Sequence, residues 1–465
     1  MLTNNKLGFL GLTALVFGLM VGVGIYNLPQ NMSASASPGA VFFSWLITGA
    51  GILPLVLIFK YLSDKFPQYN AGLYQYAQAG FGNYTGFNIA WGYWLCSAFS
   101  NVAYGVMLND AFGAFFPPLL QHEWPTVVFC SILIWFMYWI VSRGIQTANI
   151  INSLLAVIKV IMLIFIITVF VLFFKADLFN ADIWGNIANI GSVSEQIKST
   201  MMITLFCFFG VEGAVMMSAR AKRVSDIGKA GIAGFIIALI LYMAISLLCY
   251  GLMSRAQLAG LQDPSIAYIM RDVCGEWAYW FVISAVIISL LGGWVAWTLV
   301  VSQVPYEASV VGILPKCFSR LNRHNMPTFG LMASSIAMEL FLLMVVMADD
   351  VYLAALQITG LMIIPCYLFT GLFLLKKGDT TKIKSIALIT VLFCLWMIYA
   401  GGVLEMIMTS GFYLAGIIFY IRVKREREQD SNKTTLFTSY EKATIALLVA
   451  GTLISLYILF SGRLI

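Results

Sequence analysis

Charged residues are scarce in this chain: they make up 10% of its 465 residues, against about 25% in soluble proteins. A long polar segment is also missing, since the longest one, Lys424–Lys442, has the length of a loop. These two absences exclude a large soluble domain. Hydrophobic residues reach 61%, so the chain is predicted to be an all-α polytopic membrane protein.

Metal and disulfide signatures are absent as well. The eight cysteines form no C-x-x-C pair and no Cys/His ligand cluster. Both histidines, His122 and His324, fall in predicted loops, so neither offers a proton relay inside the membrane. No nucleophile–base pair is apparent, and we expect no metal, no cofactor and no enzymatic activity. The net charge of +6 reflects membrane topology and not nucleic-acid binding.

Thirteen apolar spans succeed one another along the chain. They lie near 9–35, 39–62, 84–116, 126–142, 149–174, 195–219, 229–253, 277–306, 329–347, 350–375, 383–401, 403–421 and 440–461. With the N-terminus inside, most of the 27 Lys and Arg residues fall in cytoplasmic segments, as the positive-inside rule requires. The sequence thus predicts a multi-pass protein with a cytoplasmic N-terminus. It leaves open the role of the thirteenth span and the oligomeric state, with a homodimer as one arrangement.

Glycine pairs interrupt two of these spans. Gly22–Gly24 lies in the first and Gly210–Gly213 in the sixth, about 188 residues further on. The same offset brings spans three and five close to spans eight and ten. This predicts two inverted five-helix halves, about 9–174 and about 195–375, followed by extra helices over about 383–461. Close helix packing is the alternative explanation of either glycine pair.

A lone acid, Glu212, stands in the apolar stretch LFCFFGVEGAV at 205–215. An ionised carboxylate at mid-membrane costs about 2.5–3.5 kcal/mol on insertion scales. A break at the neighbouring glycines lowers that cost, because unwound backbone is tolerated only where it lines a cavity. Free carbonyls around Phe206–Phe209 would accept from an ammonium, and the half-helix Tyr26–Ser35 would bind an anion at its N-terminus. The two breaks together suit the zwitterionic end of an amino acid.

Six stretches of the sequence carry a resemblance to a known family. They are GVGIYNLPQNM (22–32), ASPGAVFFSWLITG (36–49), AGFGNYTGFNIAWGYW (79–94), SNVAYG (100–105), GVEGAVMMSARAKRVSDIGKA (210–230) and AWTLVVSQVPYEA (296–308). The chain resembles the amino acid–polyamine–organocation superfamily, and within it the bacterial basic amino acid/polyamine antiporters of the arginine/ornithine type. The resemblance implies a leucine-transporter-like 5+5 inverted repeat with broken first and sixth helices, plus about three extra C-terminal helices.

The resemblance also implies how the substrate is bound. Its carboxylate would meet backbone of the first break, at Val23, Gly24, Ile25 and Tyr26. Its α-amino group would meet backbone between Phe206 and Phe209. By the same resemblance Asn101 would hydrogen-bond the side-chain end of the substrate, and Trp297 would pack on its alkyl part. A helix–helix hydrogen bond is the alternative for Asn101, and Trp294 competes with Trp297.

Four residues are matched to gating or internal charge. Phe206 stands where some relatives carry a tryptophan gate, and Glu212 matches a glutamate associated with proton sensing and gating. Capping of nearby backbone amides is the alternative for Glu212. Tyr93 is placed along the inner side of the path. Lys159 matches a fifth-helix lysine that stands in for a sodium ion, with proton carriage or snorkelling to the interface as alternatives.

The function that follows is secondary active transport across a bacterial-type plasma membrane. The protein would exchange a cationic amino acid, arginine first, for a related amine such as ornithine, by alternating access within the lipid bilayer. Helices one, two, six and seven would move against three, four, eight and nine. Agmatine/putrescine exchange, lysine exchange and proton-coupled amino acid symport are the alternatives. Glu339, in the middle of the ninth span, has no partner in this interpretation.

Overall fold

A computed structural model describes residues 8–69, 72–213, 222–347, 351–428 and 437–461. Its first helices are α1 (Phe9–Met20), α2 (Leu28–Ser35), α3 (Pro38–Lys65), α4 (Leu73–Phe81), α5 (Asn83–Gly113), α6 (Trp124–Ser142), α7 (Ile145–Leu172), α8 (Ala176–Asn180) and α9 (Val193–Cys207). The later helices are α10 (Val224–Leu248), α11 (Arg255–Ala259), α12 (Ser265–Cys274), α13 (Glu276–Val310), α14 (Thr328–Val345), α15 (Val351–Lys377), α16 (Thr381–Gly401), α17 (Val403–Met408), α18 (Ser410–Ala415), α19 (Ile417–Glu428) and α20 (Ser439–Phe460).

The thirteen predicted spans all fall on helical segments. Within the described ranges, nine helices are long and apolar enough to cross a membrane. The sixth predicted span, 195–219, runs on into 214–221, outside the described residues. The protein is thus a multi-pass membrane protein built from helices. The predicted repeat boundaries, 9–174, 195–375 and 383–461, stay predictions.

The predicted breaks in the first and sixth helices are confirmed. After α1 ends at Met20, the chain makes one 3₁₀ turn at Gly24–Tyr26 before α2 begins. After α9 ends at Cys207, it runs through turns as far as Glu212. Gly210 has φ +102°, and a Cβ there would lie 2.9 Å from the Leu19 carbonyl oxygen. Only glycine fits both the dihedral angle and the contact, so the two breaks meet at this residue.

Central and peripheral helices differ sharply in burial. In α13, 72% of the most apolar stretch is buried inside the protein, whereas in α20 the figure is 17%. The exposed side chains of α20 include Leu447 and Leu453. Lipid tails are as apolar as leucine, so a helix at the edge of the bundle can leave such residues outside. The candidate site therefore belongs to the central helices, and α20 lies at the periphery.

The central helices α5 and α13 approach each other closely. A Cβ on Gly105 of α5 would lie 3.1 Å from the ring of Trp294 of α13, so glycine makes room for the indole. Trp294 is fully buried against this face of α5. The contact brings the middle of both helices beside the two breaks.

Candidate substrate site

A small cavity lies between the two breaks. Its volume is about 20 Å³, room for about one water molecule. Both broken helices and the central helices line it, through Leu19, Met20, Gly22, Val23, Gly24, Ser100, Tyr104, Phe206, Cys207, Phe209 and Trp297. An amino acid is several times larger than a water molecule. The surrounding side chains must therefore move before one can bind here.

The first break leaves carbonyl groups that no longer have a helical partner. Three of them accept a hydrogen bond from three different helices. The donors are the indole of Trp297 (3.2 Å), the hydroxyl of Tyr242 (2.8 Å) and the ammonium of Lys159 (2.7 Å), which reach the carbonyls of Leu19, Met20 and Val21 in that order. Since α13, α10 and α7 each contribute one donor, the end of α1 is held from three sides.

Lys159 is thus placed at the first break. Its side chain is buried, and its ammonium joins α7 to the end of α1 through the Val21 carbonyl. This is the position that the resemblance implied for an internal cation beside the first-helix break. A proton carrier would occupy the same position, and the two roles remain separate predictions.

The sixth break is closed largely by its own backbone. Amides of Phe209, Val211 and Gly213 each donate to the carbonyl three residues earlier, at 2.9–3.1 Å. The Cys207 carbonyl, by contrast, accepts from the Tyr242 hydroxyl at 2.8 Å. One tyrosine of α10 therefore touches the ends of both broken helices.

Glu212 is fully buried just after this break. Its Oε1 accepts from the Tyr93 hydroxyl and its Oε2 from the Tyr367 hydroxyl, both at 2.8 Å. A carboxylate is an acceptor on both oxygens, whereas a protonated acid must donate from one of them. Gain of a proton would therefore reverse one of these two bonds. The three residues form a clasp between the sixth helix, α5 and α15.

Aromatic rings also line the cavity at the sixth break. Phe209 stacks on Trp297 with ring centroids 4.8 Å apart and an interplanar angle of 13°. Phe206 lies against the first break, where a Cβ on Gly24 would be 3.6 Å from its ring. Because the Trp297 indole also donates to Leu19, this tryptophan connects the aromatic wall to the end of α1.

Three predicted binding residues do not line the cavity. The Tyr26 hydroxyl pairs with the Ser289 hydroxyl, and Ile25 is buried in the core. The Asn101 amide donates to the Ser97 carbonyl of its own helix at 2.9 Å. The neighbouring Ser100 reaches the cavity in its place. Of the predicted substrate contacts, Val23, Gly24, Phe206, Phe209 and Trp297 do line the cavity.

Three tyrosines are among the site residues that sequence reasoning missed. Tyr104 of α5 fits between two glycines. A Cβ added to Gly22 would lie 2.3 Å from the Tyr104 hydroxyl, and a Cβ added to Gly293 would lie 2.8 Å from the Tyr104 ring. No motif in the sequence points to Tyr242 or Tyr367. Tyr104 falls in the matched stretch SNVAYG, which was the only signal for it. The other two reach the site only through long-range packing.

Glu339 has a partner outside the site. The Ser131 hydroxyl of α6 donates to its Oε2 at 2.7 Å, so the acid joins α6 to α14. A serine hydroxyl on a neighbouring helix is a usual partner for a polar side chain within a membrane.

Comparison with known proteins identifies the family and the fold. Residues 7–421 match the model of a family described as amino acid permease. The chain is 40% identical to the arginine/agmatine antiporter of Chlamydia trachomatis serovar D, over 98% of this chain and 97% of that protein. It is 37% identical to the arginine/agmatine antiporter of Chlamydia felis, over 99% and 98%. A solved substrate-bound, outward-open Na⁺-coupled sialic acid symporter shares the fold, with TM-score 0.55 and 12% identity over 86% of this chain and 90% of that chain.

Proposed function

This chain belongs to the amino acid permease family, and from that membership we propose that it exchanges a cationic amino acid for a related amine across a bacterial cell membrane. The names of the Chlamydia relatives favour arginine as the amino acid and agmatine as the amine. Arginine/ornithine exchange, which the sequence motifs suggested first, is the second candidate. In both pairs, each molecule has a positively charged group at one end of its chain and an amine at the other.

The observation that carries this proposal is the meeting of two helix breaks at one cavity. Backbone of Val23 and Gly24 lies on one side, next to the start of α2, where a carboxylate is favoured. The Cys207 carbonyl at the end of α9 lies on the other side, where an ammonium is favoured. Agmatine lacks the carboxylate of arginine, so it would use the second side alone.

Alternating access supplies the movement that the small cavity requires. The clasp of Tyr93, Glu212 and Tyr367 ties the sixth helix to α5 and α15. We assign it to the inner side of the site, with the N-terminus cytoplasmic. The predicted spans one, two, six and seven then move against spans three, four, eight and nine. The clasp must open for substrate to leave inward.

Counterflow in proteoliposomes tests the proposal. Vesicles loaded with agmatine, ornithine, putrescine, lysine or buffer receive labelled arginine outside. Uptake is expected with agmatine inside and not with buffer inside. Uptake into buffer-loaded vesicles that depends on an imposed pH gradient would instead identify a proton-coupled symporter. Uptake with ornithine but not agmatine inside would select the second pair.

A further inference from the structure

Tyr242 is placed where it can connect the two breaks. Its hydroxyl lies 2.8 Å from the Met20 carbonyl at the end of α1 and 2.8 Å from the Cys207 carbonyl at the end of α9. Both of these residues line the cavity. The ring is buried and fixed, because it stacks on Trp45 at 5.4 Å and meets Phe208 edge-on at 5.6 Å.

The two carbonyls compete for one proton. A tyrosine hydroxyl has a single O–H to donate, whereas each carbonyl can accept up to two hydrogen bonds. In the closed cavity the proton is therefore divided between the ends of two different half-helices. A cationic donor at one carbonyl makes the stronger hydrogen bond there, which weakens the bond from the hydroxyl to that carbonyl and shifts the hydroxyl proton toward the other.

We propose that Tyr242 is a positioning residue that transmits binding of the substrate's amine from the sixth helix to the first. An ammonium that takes over the Cys207 carbonyl leaves the hydroxyl proton to Met20, which tightens the hold on the end of α1. This inference rests on the proposed function, because it needs an amine substrate at Cys207. It assigns to the amine, which arginine and agmatine share, an effect on the first helix that does not involve the carboxylate.

Agmatine is the probe that isolates this effect. It carries an amine but no carboxylate, so it has no anionic group that could bind the backbone at Val23 and Gly24 directly. The matched probe is 5-guanidinopentanoic acid, which carries the carboxylate and lacks the amine. Hydrogen exchange of the purified full chain, read by mass spectrometry, reports segments 12–27 and 203–213 separately.

In the wild-type protein, agmatine is expected to slow exchange in both segments. The slowing in 12–27 should be about two- to tenfold, the range that one hydrogen bond supplies. In Tyr242→Phe, agmatine should slow exchange in 203–213 alone. In the same variant, 5-guanidinopentanoic acid should still slow exchange in 12–27, which shows that the first break remains folded.

Tyr250→Phe is the matched control. The Tyr250 hydroxyl is also buried and donates at 2.8 Å to a backbone carbonyl, that of Ala36, at the end of α2. This variant should behave as wild type with both probes. Agmatine protection of 12–27 that persists in Tyr242→Phe would overturn the inference.

The wild-type protein alone also decides the matter if the variant does not fold. Agmatine protection confined to 203–213 would overturn the role of Tyr242 and leave the proposed function standing. No agmatine protection in either segment would overturn the amine substrate itself, and the transmission with it.

Discussion

Both helix breaks leave backbone groups without a helical partner, and the two breaks satisfy these groups in different ways. At the first break, the carbonyls of Leu19, Met20 and Val21 take donors from three distant helices, one of them a lysine. At the sixth break, most of the backbone is satisfied by short local turns. The buried charge there is an acid, Glu212, which receives two tyrosine hydroxyls.

This difference makes the end of α1 a fixed element and the sixth break a switchable one. The end of α1 cannot move relative to α7 and α13 without breaking the hydrogen bonds from Lys159 and Trp297, whereas α10 is the seventh span and is proposed to move with α1. The sixth break is closed mostly by its own local turns, and in the described residues the side-chain hydrogen bonds of Glu212 connect it to α5 and α15. We therefore expect changes at the clasp to affect transport most, and changes at the first break to affect transport and stability together.

The largest effect is expected from Glu212→Gln. The amide is close in shape, but one of its two polar atoms is a donor and cannot accept a tyrosine hydroxyl. Arginine exchange in proteoliposomes should be abolished. As a graded control, Tyr367→Phe removes one donor and keeps the carboxylate, and should slow exchange by about 10- to 100-fold, the worth of a hydrogen bond to a charged group. Normal exchange by Glu212→Gln at neutral pH would contradict the role given to the clasp.

Lys159→Ala should come next. The Val21 carbonyl loses its donor, and an unsatisfied buried acceptor costs about 1–3 kcal/mol. Exchange should be slowed or arrested, and the protein should unfold at a lower temperature. Lys159→Arg keeps a donor and a charge and is the matched comparison. If Lys159→Ala exchanges arginine at the wild-type rate, the first break does not depend on this donor.

Trp297 offers a finer division, because it contributes both a ring and a donor. Trp297→Phe keeps an aromatic ring beside Phe209 and loses the bond to Leu19, worth about 0.5–1.5 kcal/mol. Trp297→Ala loses both and should raise the KM for arginine further. Equal KM values for the two variants would show that the stacked ring has no part in binding.

The smallest effect is expected at the ends of α3 and α15, far from either break. The Tyr61 hydroxyl donates to Asp379 at 2.6 Å, and this bond holds the pKa of the exposed Asp379 below its ordinary value. The bond is thus fully present at neutral pH and is lost only as pH falls through that lowered pKa. Asp379→Asn should leave the exchange rate at neutral pH unchanged. A loss as large as that of Glu212→Gln would place a gate at this end as well.

Local sequence was sufficient for the spans, the breaks and the buried acid. Apolar runs of membrane length, glycine pairs and a lone carboxylate are each visible within a short window. The placement of Val23, Gly24, Phe206 and Phe209 beside one cavity follows from the breaks themselves. Asn101 shows the limit of a motif match, since the neighbouring Ser100 and not Asn101 lines the cavity. Its role in binding the substrate stays a prediction.

The sequence by itself determined a polytopic helical protein whose first and sixth helices are interrupted. It also placed a lone acid, Glu212, at the sixth break. Only the tertiary structure decided which side chains complete the interrupted backbone. Tyr104 falls in a matched stretch, but Tyr242 and Tyr367 lie among 21 tyrosines of one hydrophobic chain, and nothing in their local sequence sets them apart. Tyr242 and Tyr367 bond backbone carbonyls and a carboxylate that are distant in sequence, and Tyr104 packs against two glycines. These contacts depend on how the whole bundle packs.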